Sequence, residues 1–168
     1  MYTILPSKKK SCGCQCKTCH EQFSRIFLAD SLLSAKAVPG GVQVPSTASG
    51  NFSLVMTDKP QFYVHVAVQN YKNSTMSHLH LYNRKNPKEN GPIVLFLTHN
   101  MNNPIPLING DLVARMFTTS DFEAPYKNMP FSQFQKMVMD GQLYFNAHTT
   151  QNPNGELAAP VRVIQKWG

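Results

Sequence analysis

The residues able to do chemistry fall in two places. Cys12, Cys14, Cys16 and Cys19 stand within the first 20 residues of a 168-residue chain, and no cysteine follows. The run C-x-C-x-C-x-x-C-His20 suits several chemistries. Thiolates at this density, with His20 beside them, are ligands for zinc or copper(I). Cys16-Lys17-Thr18-Cys19-His20 also matches the C-x-x-C-H pattern, in which two thiols add to haem vinyl groups and the histidine ligates the iron, so Cys16, Cys19 and His20 define a small c-type cytochrome as one reading. Cysteines this close pair poorly with one another but are well presented to a neighbouring chain, which makes intermolecular disulfides through Cys12, Cys14, Cys16 and Cys19 a further use. Lys8, Lys9, Lys10 and Lys17 favour the thiolate, the form that exchanges. A Lys/Cys-rich leader without a role is the plain alternative.

The second place is the pair His78 and His80. Two residues apart on a strand, both imidazoles project from the same face. Neutral ring nitrogens are good ligands for zinc and copper alike. The elements that must carry them read as short strands cut by turn clusters. Gly50 to Met56 puts Phe52, Leu54 and Met56 on one face. Gln61 to Gln69 alternates Phe62, Val64, Val66 and Val68 against Tyr63, His65 and Ala67. Met76 to Tyr82 is expected to be its hairpin partner across a polar connection at Asn70 to Thr75, which would bring His65 opposite His78 or His80. Ile93 to Thr98 reads as a buried strand, Asn100 to Asn109 as an Asn/Pro-rich loop, and Asp111 to Thr118 as a strand. Phe134, Met137 and Val138 at helical spacing, with Gly141 just beyond, predict a short helix over Phe131 to Asp140. Gln142 to Thr149 and Leu157 to Ile164 complete the strands. Phe23 to Val38 fits a helix or a strand equally well.

Composition bounds what such a chain can be. Apolar residues make up 42%, enough for one core, and 168 residues suit one domain. The net charge is +7, but four lysines and no acid fall in the first 20 residues, leaving only +3 for the rest. The body lacks the interleaved basic and aromatic stripe of a nucleic-acid reader. No run reaches the ~18 apolar residues that span a bilayer. Met1 to Pro6 is too short for a signal h-region, and Arg25 and Asp30 interrupt the apolar stretch that ends at Ala35-Lys36-Ala37, so no clear signal peptide is read. A Gly-rich phosphate loop and a recognisable Ser or Lys nucleophile motif are both missing, and catalysis is not expected.

The ordered set Val44-Pro45, Ala48-Ser49-Gly50, His78-Leu79-His80, Asn90-Gly91-Pro92, Gly141, Tyr144-Phe145-Asn146-Ala147-His148-Thr149, Asn152-Pro153 and Gly155-Glu156 resembles the CHRD domain, the module named after chordin, over roughly residues 25–164. The resemblance implies an all-β fold, an antiparallel immunoglobulin-like or superoxide-dismutase-like sandwich, usually extracellular or at the cell surface and, in microbes, largely without an assigned activity. Where the family often has Arg-Gly-Gln after Gly-Glu, this chain has Leu157-Ala158-Ala159-Pro160. The resemblance also adds His148, from its Asn-x-His-Thr segment, to His78 and His80 as a third candidate ligand. Buried structural histidines, bonded to loop backbone and to Asn146 or Glu156, are the competing account of His80 and His148. A copper redox enzyme akin to superoxide dismutase would use the same three histidines, but it needs more of them and a bridging carboxylate.

The reading is therefore a Cys-rich tail over residues 1–22 and a CHRD-like sandwich over residues 23–168. The function expected is that of a non-catalytic structural or interaction protein, self-assembling and disulfide cross-linked through its tail in a surface layer, an extracellular matrix or a spore coat, as a homo-oligomer or larger assembly. A spore coat accepts proteins without a signal peptide. A copper- or zinc-binding protein using His78, His80 and His148, the cysteines, or both is the alternative, and the haem reading is third.

Overall fold

The computed structural model describes residues 26–33, 46–56 and 59–167. Eight strands in these residues form one curled, all-antiparallel sheet: β1 (Ile26–Leu33), β2 (Ser49–Met56), β3 (Gln61–Leu81), β4 (Ile93–His99), β5 (Ile105–Thr118), β6 (Leu143–Thr149), β7 (Leu157–Pro160) and β8 (Val163–Trp167). One α-helix, α1 (Phe131–Met139), lies between β5 and β6, after a single 3-10 turn at Thr119–Asp121. The all-β class and the single short helix at Phe131 agree with the sequence reading. Residues 26–33 take the strand of the two options left open for 23–38.

One correction concerns the middle of the sheet. Gln61–Gln69 and Met76–Tyr82 are not a hairpin, because the chain runs through as the single 21-residue strand β3. Along one edge, β2 pairs from Phe62↔Met56 to Gln69↔Ser49, and β6 takes over from Ser74↔Thr149 to Leu81↔Leu143. Along the other edge, β5 pairs from Gln61↔Thr118 to Ser74↔Ile105, and β4 continues from Met76↔His99 to His80↔Ile93. The polar stretch between the halves is a distortion inside a strand. Asn70 and Asn73 hold φ values of 55° and 53°, in the left-handed region where asparagine is among the few side chains at ease, and the β5 register shifts between Val68 and Tyr71. The same polar, turn-prone residues serve a bulge as well as a reversal, and here the neighbouring strands decide. The expected loop at Asn100 to Asn109 is also shorter, because β5 begins at Ile105. Leu157 to Ile164 is split into β7 and β8.

The core lies on the concave side of the curl. Phe52, Leu54 and Met56 of β2, Phe62, Val64 and Val66 of β3, and Phe145 and Ala147 of β6 are fully or almost fully buried. Phe52 meets Phe145 with ring centroids 5.3 Å apart, so the two ends of the curl pack on each other. α1 closes the open side. Its buried face is Phe134, Met137 and Val138, and the Phe134 ring lies 4.6 Å from Phe62 and 4.9 Å from Phe122. Phe62 also stacks near Phe117 and Phe131. Truncating it leaves a cavity under four aromatic neighbours, and Phe62→Ala is expected to lower unfolding free energy by ~3–5 kcal/mol. Met116→Ala, on the exposed side of β5, should stay within about 0.5 kcal/mol. Urea denaturation of both variants checks the difference.

Candidate metal centre

Register carries the histidines together. In an antiparallel pair, residues directly opposite point to the same face. On β3, Met76, His78 and His80 stand opposite His148, Asn146 and Tyr144 of β6, and opposite His99, Phe96 and Ile93 of β4. The alternate residues Leu79, Phe145 and Leu95 turn into the apolar core. The β4–β3–β6 part of the sheet thus has an apolar inner face and a face of imidazoles, aromatic rings and amides. Two loops fold over that second face: the 83–92 loop between β3 and β4, and the 150–156 loop between β6 and β7.

His78, His80 and His148 are 2%, 3% and 4% exposed, and one ligand nitrogen from each lies within 4.8 Å of the others. The structure therefore brings together the three histidines named from the sequence. His65 is elsewhere: it stands opposite Ser53 and Ala114 and pairs with Asp111 at 2.8 Å. Each loop contributes one carbonyl. The Nδ1–H of His80 donates to the Gly91 oxygen at 2.8 Å, and the Nδ1–H of His148 donates to the Pro153 oxygen at 2.9 Å. A carbonyl only accepts, so both rings present a bare Nε2. His78 Nδ1 lies 3.1 Å from the bare His148 Nε2 and carries the proton between them in the metal-free protein. That leaves the Nε2 atoms of His78 and His80 buried without any hydrogen-bond partner. Of the bonds expected if His80 and His148 are structural, those to loop backbone form and those to Asn146 or Glu156 do not.

Aromatic walls surround the cluster. Tyr144 stacks on His80 at 5.0 Å and 11°, and Phe96 presents edge-on to His78 at 4.5 Å. Asn90 is the clamp of the first loop: its Oδ1 accepts from Tyr144 Oη at 2.9 Å and Asn146 Nδ2 at 3.2 Å, while its Nδ2 donates to the Asn154 oxygen. Glu156 anchors the second loop. Its carboxylate accepts from Ser46 at 2.6 Å, Thr149 at 2.7 Å and Asn152 at 2.9 Å. Tyr71 donates to the His148 carbonyl at 2.8 Å. Two glycines allow the loops this close. A Cβ on Gly91 would overlap the Leu81 carbonyl, and one on Gly155, at φ 123°, would overlap the Asn146 amide. Asn90 and Tyr144 stand in the sequence pattern without an assigned role, and Glu156 only as a candidate histidine partner; their work is to hold loops over the histidines, which no local signal states.

Imidazole ligands must be neutral, and burial makes them so. Desolvation, with further opposition from His148, His80 and His99, pushes His78 down to about 2. Burial takes His80 to about 4 against the opposing Gly91 hydrogen bond, and lowers His148 as well. Among the described residues no other group of three or more His, Cys, Asp or Glu side chains converges in this way. The tail ligands Cys12, Cys14, Cys16, Cys19 and His20, including the haem motif, lie outside the described residues.

An antiparallel β domain with a loop-covered histidine cluster on one face is the class these observations define. The CHRD domain model matches residues 29–161, most of the chain, and the chain belongs to the CHRD domain family. No curated protein and no solved structure gives a significant match.

The lowered histidines link stability to pH. In the unfolded chain each protonates near ~6.5, whereas in the metal-free fold all three stay neutral to lower pH. The unfolded state then binds more protons, so the stability from these groups is complete above ~6.5 and declines as pH falls below it, by up to ~1.4 kcal/mol per pH unit per histidine. Urea melts of the metal-free protein between pH 7.5 and 5 should show this fall, reduced in His80→Gln. A flat profile contradicts it.

Proposed function

We propose that this protein is a non-catalytic interaction domain of the CHRD family whose histidine cluster holds one transition-metal ion. The observation that carries this reading is the pair of buried, unpartnered Nε2 atoms on His78 and His80 beside the bare Nε2 of His148. Leaving a buried acceptor unmade costs about 1–3 kcal/mol. A metal ion gives both orphaned nitrogens a partner and takes over His148 Nε2 from the His78 Nδ1–H. Metal-bound histidines characteristically donate the other ring nitrogen to a carbonyl or carboxylate, and His80 and His148 already do so. Ligand nitrogens about 2.0–2.1 Å from a tetrahedral zinc stand about 3.3 Å apart, and one nitrogen from each of the three rings already lies within 4.8 Å of the others. Binding closes the wider gaps of the triad and draws the two loops inward. The ion's role is to pin those loops, and with them the surface they offer to a partner, because a site covered on all sides suits retention better than turnover.

The curl of the sheet, with Phe52 packed on Phe145, supports the immunoglobulin-like or superoxide-dismutase-like sandwich that the family resemblance implies. Elemental analysis of the protein purified without chelators should give about one zinc or copper per chain retained by the body. His78→Ala with His80→Ala should remove it while circular dichroism stays β-type. A metal-free wild type would overturn the reading.

A second part of the proposal concerns assembly. Four thiols within eight residues, flanked by lysines, favour exchange with neighbouring chains. We place the protein in a covalent surface layer, matrix or spore coat. Multimers are expected on a non-reducing gel, collapsing to monomer with reductant. The full-length variant with Cys12, Cys14, Cys16 and Cys19 changed to Ser should stay monomeric on that gel. Covalent multimers from that variant, or a haem absorption band in the wild type, would count against the disulfide role.

A further inference from the structure

We infer that the metal this centre is built for is copper(I), and that it holds copper in the reduced state. The inference rests on the metal-binding reading above and concerns which ion satisfies it. Three features of the site bear on the choice.

The first is charge. His78, His80 and His148 are neutral, and the converging group contains no carboxylate or thiolate. Of the acids in the two covering loops, Glu89 is exposed and Glu156 has both oxygens engaged by Ser46, Thr149 and Asn152. His99, at the β4 rim, adds no negative charge. Whatever ion enters keeps its full charge in a buried place. The desolvation cost of an ion rises with the square of its charge, so a divalent ion costs about four times as much as a monovalent one.

The second is coordination number. Zinc sites are almost always four-coordinate, and copper(II) prefers four ligands in a tetragonal plane. The structure offers three nitrogens. Side chains 2–4% exposed, walled by Tyr144 and Phe96, leave little access for water to supply a fourth. Copper(I) accepts three nitrogens in a trigonal arrangement.

The third is a soft donor in register. Met76 stands two residues before His78, opposite His148 on β6 and His99 on β4, on the same face of the sheet. It is half-buried at the rim of the cluster. A thioether is a ligand that selects copper(I) over zinc and copper(II). Nothing in the apolar core requires a methionine at this position, since the side chain points away from Leu79 and Phe145.

The test must exclude the tail thiols, which would take copper(I) themselves. It therefore uses the full-length chain with Cys12, Cys14, Cys16 and Cys19 changed to Ser. Copper(I) is titrated anaerobically against a chromogenic copper(I) chelator, and zinc and copper(II) are titrated separately without reductant. One copper(I) per chain is expected, silent in electron paramagnetic resonance, with the X-ray absorption edge of a cuprous ion held by three nitrogens and a weak, long thioether contact. His80→Ala should weaken it about 100-fold or more, and Met76→Leu, which conserves volume, about 10-fold with zinc affinity unchanged. Zinc or copper(II) bound at the histidines as tightly as copper(I) would overturn the cuprous assignment and leave the metal-binding function standing. Absence of binding by all three ions would overturn both. Equal copper(I) affinity in wild type and Met76→Leu would remove the thioether from the argument and, with it, the selectivity claimed here.

Discussion

Strand β3 must satisfy the hydrogen-bonding groups of 21 consecutive residues on both edges, and the arrangement that does so sets everything around it. No single neighbour is long enough. Two strands in succession serve each edge, β2 then β6 on one and β5 then β4 on the other. The handover falls at Asn70 to Asn73, where two left-handed asparagines increase the local twist and let the strand bend from one part of the curl into the next. The bend turns the apolar faces of both ends inward, so that Phe52 and Phe145 meet. It also leaves the outward face of the far half without a covering sheet.

That face is closed by loops instead, and loops carry backbone groups that need partners when buried. The polar residues of the family pattern supply them. Asn90 ties the 83–92 loop to Tyr144, Asn146 and Asn154, and Glu156 gathers Ser46, Thr149 and Asn152. His80 and His148 take one carbonyl each. A fully satisfied network of this kind would be a structural plug and nothing more. The two orphaned imidazole nitrogens, with Asn146 Oδ1 likewise unpaired, are what separate this one from that case. Buried polar atoms are nearly always paired, so these unpaired ones call for an explanation.

The chemical consequence is selective. On the reading proposed above, neutral donors in a buried, aromatic enclosure would hold a metal ion with no carboxylate or thiolate in the converging group. Such an ion would act through the loops, joining β3 and β6 to the segments at Gly91 and Pro153 whose carbonyls orient the rings. Binding to the folded state alone stabilises that state by mass action. The region so stabilised would be the loop-bearing surface, the part of a β domain on which partner recognition usually resides.

Much of this was legible in the chain because it is local. Alternation at Gln61 to Gln69 marks a strand, the spacing of Phe134, Met137 and Val138 before Gly141 marks the helix, and His78-Leu79-His80 on a strand already puts two imidazoles on one side. The order of the Asn, Gly and His motifs carried the family. What the sequence could not settle is non-local. Whether Asn70 to Asn73 reverses the chain or merely bends it depends on which strands wait on either side, since the backbone preference of those residues serves both. His148 reaches His78 only through the β3–β6 register, across 70 residues of chain. The bare nitrogens exist only because carbonyls of two separate loops take the opposite ring nitrogen of His80 and His148. A residue's type and spacing determine what chemistry it is able to do. Its tautomer, its burial and its neighbours, which decide whether it does it, are properties of the tertiary structure, because they are set by contacts between segments that the chain itself keeps far apart.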